Sequence, residues 1–384
     1  MGSTAVSRGL TLETISGEAA FARLAREWDH LVRAMPRPSP MLLHCWLREW
    51  WRHYGEGVTL AVHVARRDGT LVGALPLCIR PRFGLHVLTF LGGDQSTLAD
   101  LLIHPSQNGN VAAALAQRVT TGEYDFADLF GLPGGSRLVA ELGPSQLCLI
   151  ERVEAPVLDL DRDFEAFYGE RLSSKKRGQH KRRRRQLDRL GRVEVAVART
   201  PDELSTAIED AFRLHTLRWN GHPDGSRFVT PMGMRFHRAA VRSLGELDVA
   251  RIVTLKLDGR AIAFHYLFLL ERRMYVHRIA FDPAFSRYSP GILNTLDALR
   301  IATDEGATRV EFLGGADRYK LELTDRFEPL HEGLGLARTV RGSGAVAARV
   351  RAIRMRKRLK RSSTLRHFYF NGLAPARRAL GRLR

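Results

Sequence analysis

The chain has little cysteine. Cys45, Cys78 and Cys148 are its only three among 384 residues. They lie far apart, with no CxxC and no Cys/His spacing, which speaks against a disulfide framework and against a zinc site. Reduced, mostly buried thiols in a cytoplasmic protein are the expectation, with no metal. Long apolar runs are also missing. No stretch is long enough to span a bilayer. The opening MGSTAVSRGL has no apolar signal core, and Val6 stands where a myristoylation pattern wants Ser or Thr. Acid is scarce in two places only. Arg338 to Arg384 hold 15 Lys/Arg and no Asp or Glu, and Arg171 to Arg192 hold 11 Lys/Arg against Asp188 alone. Elsewhere acids outnumber bases. The net charge of +19 is therefore two local features and not a generally basic surface.

What is present describes a globular chain, 44% apolar and 26% charged, too long for one typical core. Residues 10 to 35 read as an amphipathic helix broken by Pro36, Pro38 and Pro40. A helix from Met41 to Tyr54 is dense in tryptophan, which reads as core. Thr59 to Ala65 and Thr70 to Ile79 read as strands around an Asp68-Gly69 turn. A strand (Val87 to Leu91), a short helix (Val111 to Val119) and another strand (Tyr124 to Phe130) come next. The second half repeats the order. Helices at Leu204 to Asn220 and Pro231 to Leu244 precede strands at Ala250 to Leu257 and Ala261 to Leu270, which flank Asp258-Gly259. The repetition suggests an internal duplication. The expected division is 1–155, 156–336 and a basic tail, 337–384. Between the halves, RLSSKKRGQHKRRRRQLDRLG is a solvated helix or a basic arm.

The most informative stretch is Met274 to Lys320. Tyr275, His277, Ile279 and Phe281 alternate with Val276 and Ala280, a strand pattern. Ser289 can cap a helix whose first turn holds Pro290. Ile292, Leu296 and Leu299 recur at helical spacing, and Gly306 suits the helix end. Thr308 to Leu313 reads as a second strand, closing a βαβ unit. The junction from Ser286 to Gly291 presents free backbone N–H groups and the positive end of a helix dipole, a ready anion site. Gly291, lacking a Cβ, lets a phosphate approach the backbone, and Arg287 adds charge there. An ordinary capped helix is the plainer reading of Ser-Pro-Gly taken alone. In the first half, Gly92-Gly93-Asp94 comes after the equivalent strand with no such helix start. An anion site is not expected there.

With HTLRW (215–219), LDGRAIAFHY (257–266), FDPAFSRYSPG (281–291) and FLGGADRYK (312–320) in hand, the chain resembles the CelD/BcsL-type acetyltransferases. These are part of the GNAT superfamily and close to the FemAB-type aminoacyl transferases. The likeness covers roughly residues 25 to 330. It departs at Gly314 and Gly315, between which the family often has a bulky basic residue. It implies an α/β (α+β) fold of tandem GNAT-like halves, each a mixed twisted sheet flanked by helices. It also implies acyl-CoA (acetyl-CoA foremost) bound at the second half, and direct transfer to an amine or hydroxyl. The pyrophosphate would lie on Arg287, Tyr288, Ser289, Pro290, Gly291 and Ile292. The thioester would lie along the strand Met274 to Phe281, if that strand splays from its neighbour, with a backbone N–H steadying the oxygen.

Candidate bases are His265, His277 and Asp317. Each has a plainer reading: a satisfied core histidine for the first two, a turn residue for the third. Tyr319 could protonate the leaving thiolate, and Lys320 could pair with an anionic acceptor. His215, Arg218 and Trp219, at i, i+3 and i+4, could form a substrate wall, or simply pack. The acceptor is expected to be a small molecule or a lipid- or polysaccharide-linked precursor. Two rival readings stand beside this one. Aminoacyl transfer from charged tRNA is the first, although no coiled-coil insertion is visible. A basic binding module is the second: the tail from Arg341 to Arg366 could lie on anionic membrane. No specific nucleic acid is expected, since no RNA-binding aromatic signature appears.

Overall fold

The structure is a computed structural model that describes residues 9–107, 109–160, 162–219, 226–315 and 317–361. In chain order the first half comprises β1 (Leu10–Ile15), α1 (Glu18–Ala22), α2 (Ala25–Ala34), α3 (His44–Tyr54), β2 (Thr59–Arg67), β3 (Thr70–Arg82), β4 (Leu85–Phe90), β5 (Leu102–Ile103), α4 (Gly109–Thr120), β6 (Phe126–Pro133), α5 (Arg137–Leu142) and β7 (Leu147–Asp159). The second comprises α6 (Phe164–Arg171), α7 (Ser174–Asp188), β8 (Val193–Ala198), α8 (Pro201–Trp219), α9 (Pro231–Glu246), β9 (Ala250–Leu257), β10 (Arg260–Leu270), β11 (Arg273–Phe281), α10 (Pro290–Asp304), β12 (Arg309–Glu311), α11 (Arg318–Leu323), β13 (Arg326–Gly335) and α12 (Val340–Arg361).

All strands join one mixed sheet in the order β1-β2-β3-β4-β6-β13-β7-β12-β11-β10-β9-β8, with β5 on β3. The order shows the duplication directly. In each half an antiparallel hairpin leads to a strand that pairs in parallel with the strand after a helix: β4 with β6, and β11 with β12. Both hairpins turn on Asp-Gly. Asp68 and Gly69 have φ of 49° and 83°, and Asp258 and Gly259 have 48° and 78°. Two positive φ values in a two-residue loop match the twist of the flanking strands. The tandem α/β fold expected from the sequence is therefore present. The sheet runs unbroken from one lobe to the other, because β13 comes late in the chain and inserts between β6 and β7.

The lobes are also tied by packing and charge. Trp46 on α3 is fully buried, its ring 4.8 Å from Phe236, 5.7 Å from Phe268 and 5.3 Å from His277, all in the second lobe. The tryptophan-rich helix is core, as its composition implies. Glu311, at the end of β12, is completely buried and meets Arg37 from the first lobe at 2.7 Å, Arg309 at 3.1 Å and Arg273 at 3.2 Å. A buried carboxylate persists only when paired in this way. The cluster pins the point at which β11 and β12 part.

The structure corrects several expectations drawn from the sequence. Residues 10 to 35 hold a strand and two short helices in place of one helix. Ser289 does not cap α10 with its side chain; it takes a left-handed conformation, φ 52°. The simple alternation along β11 fails, since Leu267 pairs with Val276 and Tyr266 with Arg278, leaving His277 as an extra residue. This bulge turns Arg278 and Ala280 onto the face of Tyr275, and Ile279 away from it. α12 places Val346, Val350 and Ile353 against β4, β6 and β13. These three apolar residues of the tail helix thus pack on the sheet and are not free for a lipid surface. The tail from 362 to 384 lies outside the described residues.

Candidate active site

β11 pairs with β12 over three residues only, Arg273 to Tyr275. Beyond Tyr275, β11 continues to Phe281 with β10 on one side and, among the described residues, no strand on the other. The strands splay beyond Tyr275. A groove of about 630 Å³ opens there. Ile279, Ala280 and Phe281 form its floor, and Ser286, Ser289, Gly291 and Ile292 its end at the start of α10. The first N–H groups of that helix have no acceptor within it, and its dipole is positive at this end. Gly291 has a tight neighbour: a Cβ there would lie 3.0 Å from the Phe281 ring. Its small size thus admits Phe281 against the helix, a packing reason beside phosphate access.

Besides Ser289, Gly291 and Ile292, the groove gathers five more of the candidate residues: Asp317, Tyr319, Arg218, Trp219 and His265. Arg218 lies over the Phe281 ring at 5.2 Å, which brings a cation to the groove floor. The Tyr319 hydroxyl has no hydrogen-bond partner among the described residues, and burial raises its pKa, so it keeps its proton. Asp317 is largely exposed and meets the Lys320 ammonium at 3.1 Å.

Other candidates sit differently, and His265 only borders the groove. It is 1% exposed, with both ring nitrogens occupied. Asn294 Nδ2 donates to the Val253 carbonyl and to His265 Nδ1, both at 3.0 Å. Nδ1 is therefore an acceptor, and Nε2 carries the proton toward Thr295 Oγ1 at 3.0 Å, which itself donates to the Gly291 carbonyl. Burial pushes its pKa down to about 3. That is the satisfied core histidine, and it positions α10 against β10. His277 is buried among Trp46, His237, Tyr266 and Phe268 and does not line the groove. His215 is buried, bonded through Nε2 to Ser226 Oγ at 2.7 Å, with its pKa lowered by burial to about 4. Lys320 turns inward, its ammonium held by the Gly314 and Gly315 carbonyls and Asp317. Arg287 is exposed, over the Tyr288 ring at 4.6 Å, and Tyr288 and Pro290 are buried beside the groove without lining it.

The structure adds one wall that sequence reasoning missed. The basic segment is helix α7, and Lys176, Gln179, His180 and Arg183 line the groove from it. Their spacing is i, i+3, i+4 and i+7, one face of a helix. His180 is 4% exposed, 3.0 Å from the Tyr168 hydroxyl, with its pKa lowered first by burial. Lys176 pairs with Glu322 at 2.8 Å. The spacing was the available signal, hidden because eight Lys/Arg surround α7 on every side.

Residues 174–321 match the acetyltransferase (GNAT) domain family. The second lobe carries a GNAT-type acyltransferase domain. The matched span begins at α7 and ends within α11, so it contains every residue lining the groove except Glu322, which directly follows it. Solved structures agree in fold. FemX is 12% identical, with 84% of this chain and 96% of that chain covered and a TM-score of 0.56. The C-terminal domain of a putative lysylphosphatidylglycerol synthetase from Agrobacterium fabrum is 12% identical, over 87% of this chain and 96% of that one, with a TM-score of 0.54. A conserved protein of unknown function from Bacteroides thetaiotaomicron is 13% identical, over 85% and 100%, with a TM-score of 0.54. Comparison with curated protein sequences gives no match. Among the described residues no group of His, Cys, Asp and Glu could hold a metal ion, and no helix is long and apolar enough to cross a membrane.

Proposed function

We propose that the second lobe transfers an acyl group, acetyl foremost, from acyl-CoA to an amine or hydroxyl of a sugar, amino-acid or cell-envelope precursor, in the manner of the CelD/BcsL-type enzymes. The observation that carries this is the splay of β11 from β12 with the start of α10 at its end. The helix N–H groups at Gly291 and Ile292, with Arg218 and Arg183 nearby, suit a pyrophosphate. The unpaired edge of β11 beyond Tyr275 offers backbone groups to pantetheine amides, and its bulge reorients N–H groups toward a thioester oxygen. Tyr319, held protonated, would give its proton to the leaving sulfur. Asp317, on the groove wall, or a water it orders would take the proton of the attacking group. Transfer is direct: none of the three cysteines lines the groove, and burial raises the Cys78 thiol to about 11 and the Cys45 thiol higher still.

A second reading, aminoacyl transfer from charged tRNA, has one observation of its own. α7 carries eight Lys/Arg, of which Lys176 and Arg183 line the groove, a natural contact for phosphates. Labelled acetyl-CoA and labelled aminoacyl-tRNA, each given to the full-length protein with small-molecule and glycan fractions of a cell extract, separate the two. Acyl transfer predicts ribonuclease-insensitive label from acetyl-CoA. Label arising only from aminoacyl-tRNA, and lost with ribonuclease, overturns it.

A further inference from the structure

The bulge in β11 leaves a polar cluster that acyl-donor binding does not use. Because His277 is an extra residue in the β10–β11 register, His277 and Arg278 both face the side on which Tyr266 lies. Arg278 is partly exposed, 6.0 Å from the Phe228 ring centroid. Among the described residues its side chain makes a single hydrogen bond, from Nη1 to the carbonyl of His277 at 2.9 Å. Among the described residues it has no carboxylate partner. Other inward-facing arginines of the same lobe do: Arg251 meets Glu305 at 2.6 Å, and Arg273 meets Glu311 at 3.2 Å. Within electrostatic reach of Arg278 are buried polar atoms that have no partner among the described residues: both ring nitrogens of His277, the Tyr266 hydroxyl, and Nδ1 of His237 and of His215. His277 lies 5.2 Å from Tyr266 and 5.3 Å from His237, ring to ring.

A half-buried cation with no carboxylate partner, bordered by buried polar atoms that are themselves unpaired, is costly, and such strain collects where a ligand completes the set. The cluster adjoins the groove along two elements. Ile279 and Ala280 come directly after Arg278 on β11, and Arg218 and Trp219 lie one turn of α8 beyond His215; all four line the groove. We propose that Arg278, with Tyr266, His277 and His237, is the acceptor subsite, and that the acceptor bears a carboxylate which takes the place of the missing protein partner. The proposal rests on the acyl-transfer reading, which alone makes the bound molecule an acceptor. Burial keeps His215, His237 and His277 neutral, so the subsite offers one positive charge and matches a monoanion better than a phosphate dianion. The guanidinium stays charged at neutral pH even though burial lowers its pKa to about 10. Its planar fork suits two carboxylate oxygens at once.

The test uses full-length protein, wild type and Arg278→Met, in thermal-shift titrations. Probes are free amino acids, dipeptides and uronic acids, each against its amide, with inorganic phosphate as a separate arm. At least one carboxylate should raise the wild-type Tm by several degrees where its amide does not, and Arg278→Met should abolish that shift. Unliganded Arg278→Met should melt at or above the wild type, since an unpaired charge is gone. Arg278→Lys, which keeps the charge but loses the fork, should bind the same carboxylate about tenfold more weakly. The proposal is overturned if acids and amides act alike, if phosphate matches the best carboxylate, if Arg278→Met retains the shift, or if that variant melts well below the wild type. Calorimetry with CoA separates the two readings. CoA binding without any carboxylate shift removes this subsite alone, whereas a carboxylate shift without CoA binding removes the donor reading and leaves an anion site.

Discussion

The two lobes share a topology and differ in the path of the chain after the third strand of each. After β11 the chain turns once and enters α10 directly, so the gap beside β11 stays open as the groove. After β4 the chain instead folds back. Residues 95 to 101 are mostly buried, and Ala99 N–H donates to the Gly131 carbonyl on β6 at 3.1 Å. Gly131 has φ 90°, and a Cβ there would lie 2.7 Å from the Thr97 carbonyl oxygen, so a glycine is needed for this close approach. Asp100 anchors the segment: its carboxylate accepts from Ser136 Oγ at 2.7 Å and from the Leu101, Arg137 and Leu138 N–H groups. One lobe is thus covered by its own chain and the other open to a ligand. The lesson is that the βαβ splay is only a frame; the segment after the third strand decides whether it holds anything.

The largest effect should come from loosening the covered lobe. Asp100→Ala leaves four donors seeking acceptors inside the protein, so a loss of about 2–3 kcal/mol is expected. Denaturant melts would read it, and CoA affinity should stay within about twofold if the lobes are separate in function. A large fall in CoA affinity would break the comparison.

A smaller effect lies behind the same lobe. Arg349 of α12 meets Asp128 at 2.9 Å and Glu332 at 2.8 Å. Burial foremost, with repulsion from Glu332, raises Asp128 to about 6, against Arg349, which lowers it. A folded-state pKa above the unfolded value means that the fold binds the proton more tightly. This contribution is present at low pH and is lost as pH rises from about 4 through about 6. Asp128→Asn should raise Tm modestly above pH 7 and flatten the pH dependence in that window. An unchanged profile would assign the proton elsewhere.

Much of the open lobe was legible in the sequence. Alternation marked β11, Pro290 and Gly306 marked the ends of α10, and Asp-Gly marked both hairpins, because each rests on local backbone preferences. What stayed hidden depends on distant partners. The bulge at His277 exists only in register with β10. β13 was missed because Pro329 and its acids break the strand pattern; Pro329 is tolerated where β13 pairs with β7 but has not yet met β6. The fate of His265 turned on Asn294 and Thr295, a helix away. The role of α7 was masked by uniform charge.

The most direct measurement is calorimetric titration of CoA into full-length protein, wild type and Gly291→Glu, with Arg183→Glu as a second variant that leaves the α10 junction untouched. The comparison of lobes predicts one CoA per chain in the wild type, and loss of binding by at least about a hundredfold in Gly291→Glu and by about tenfold in Arg183→Glu. Two sites per chain, or equal affinity in all three proteins, would contradict it.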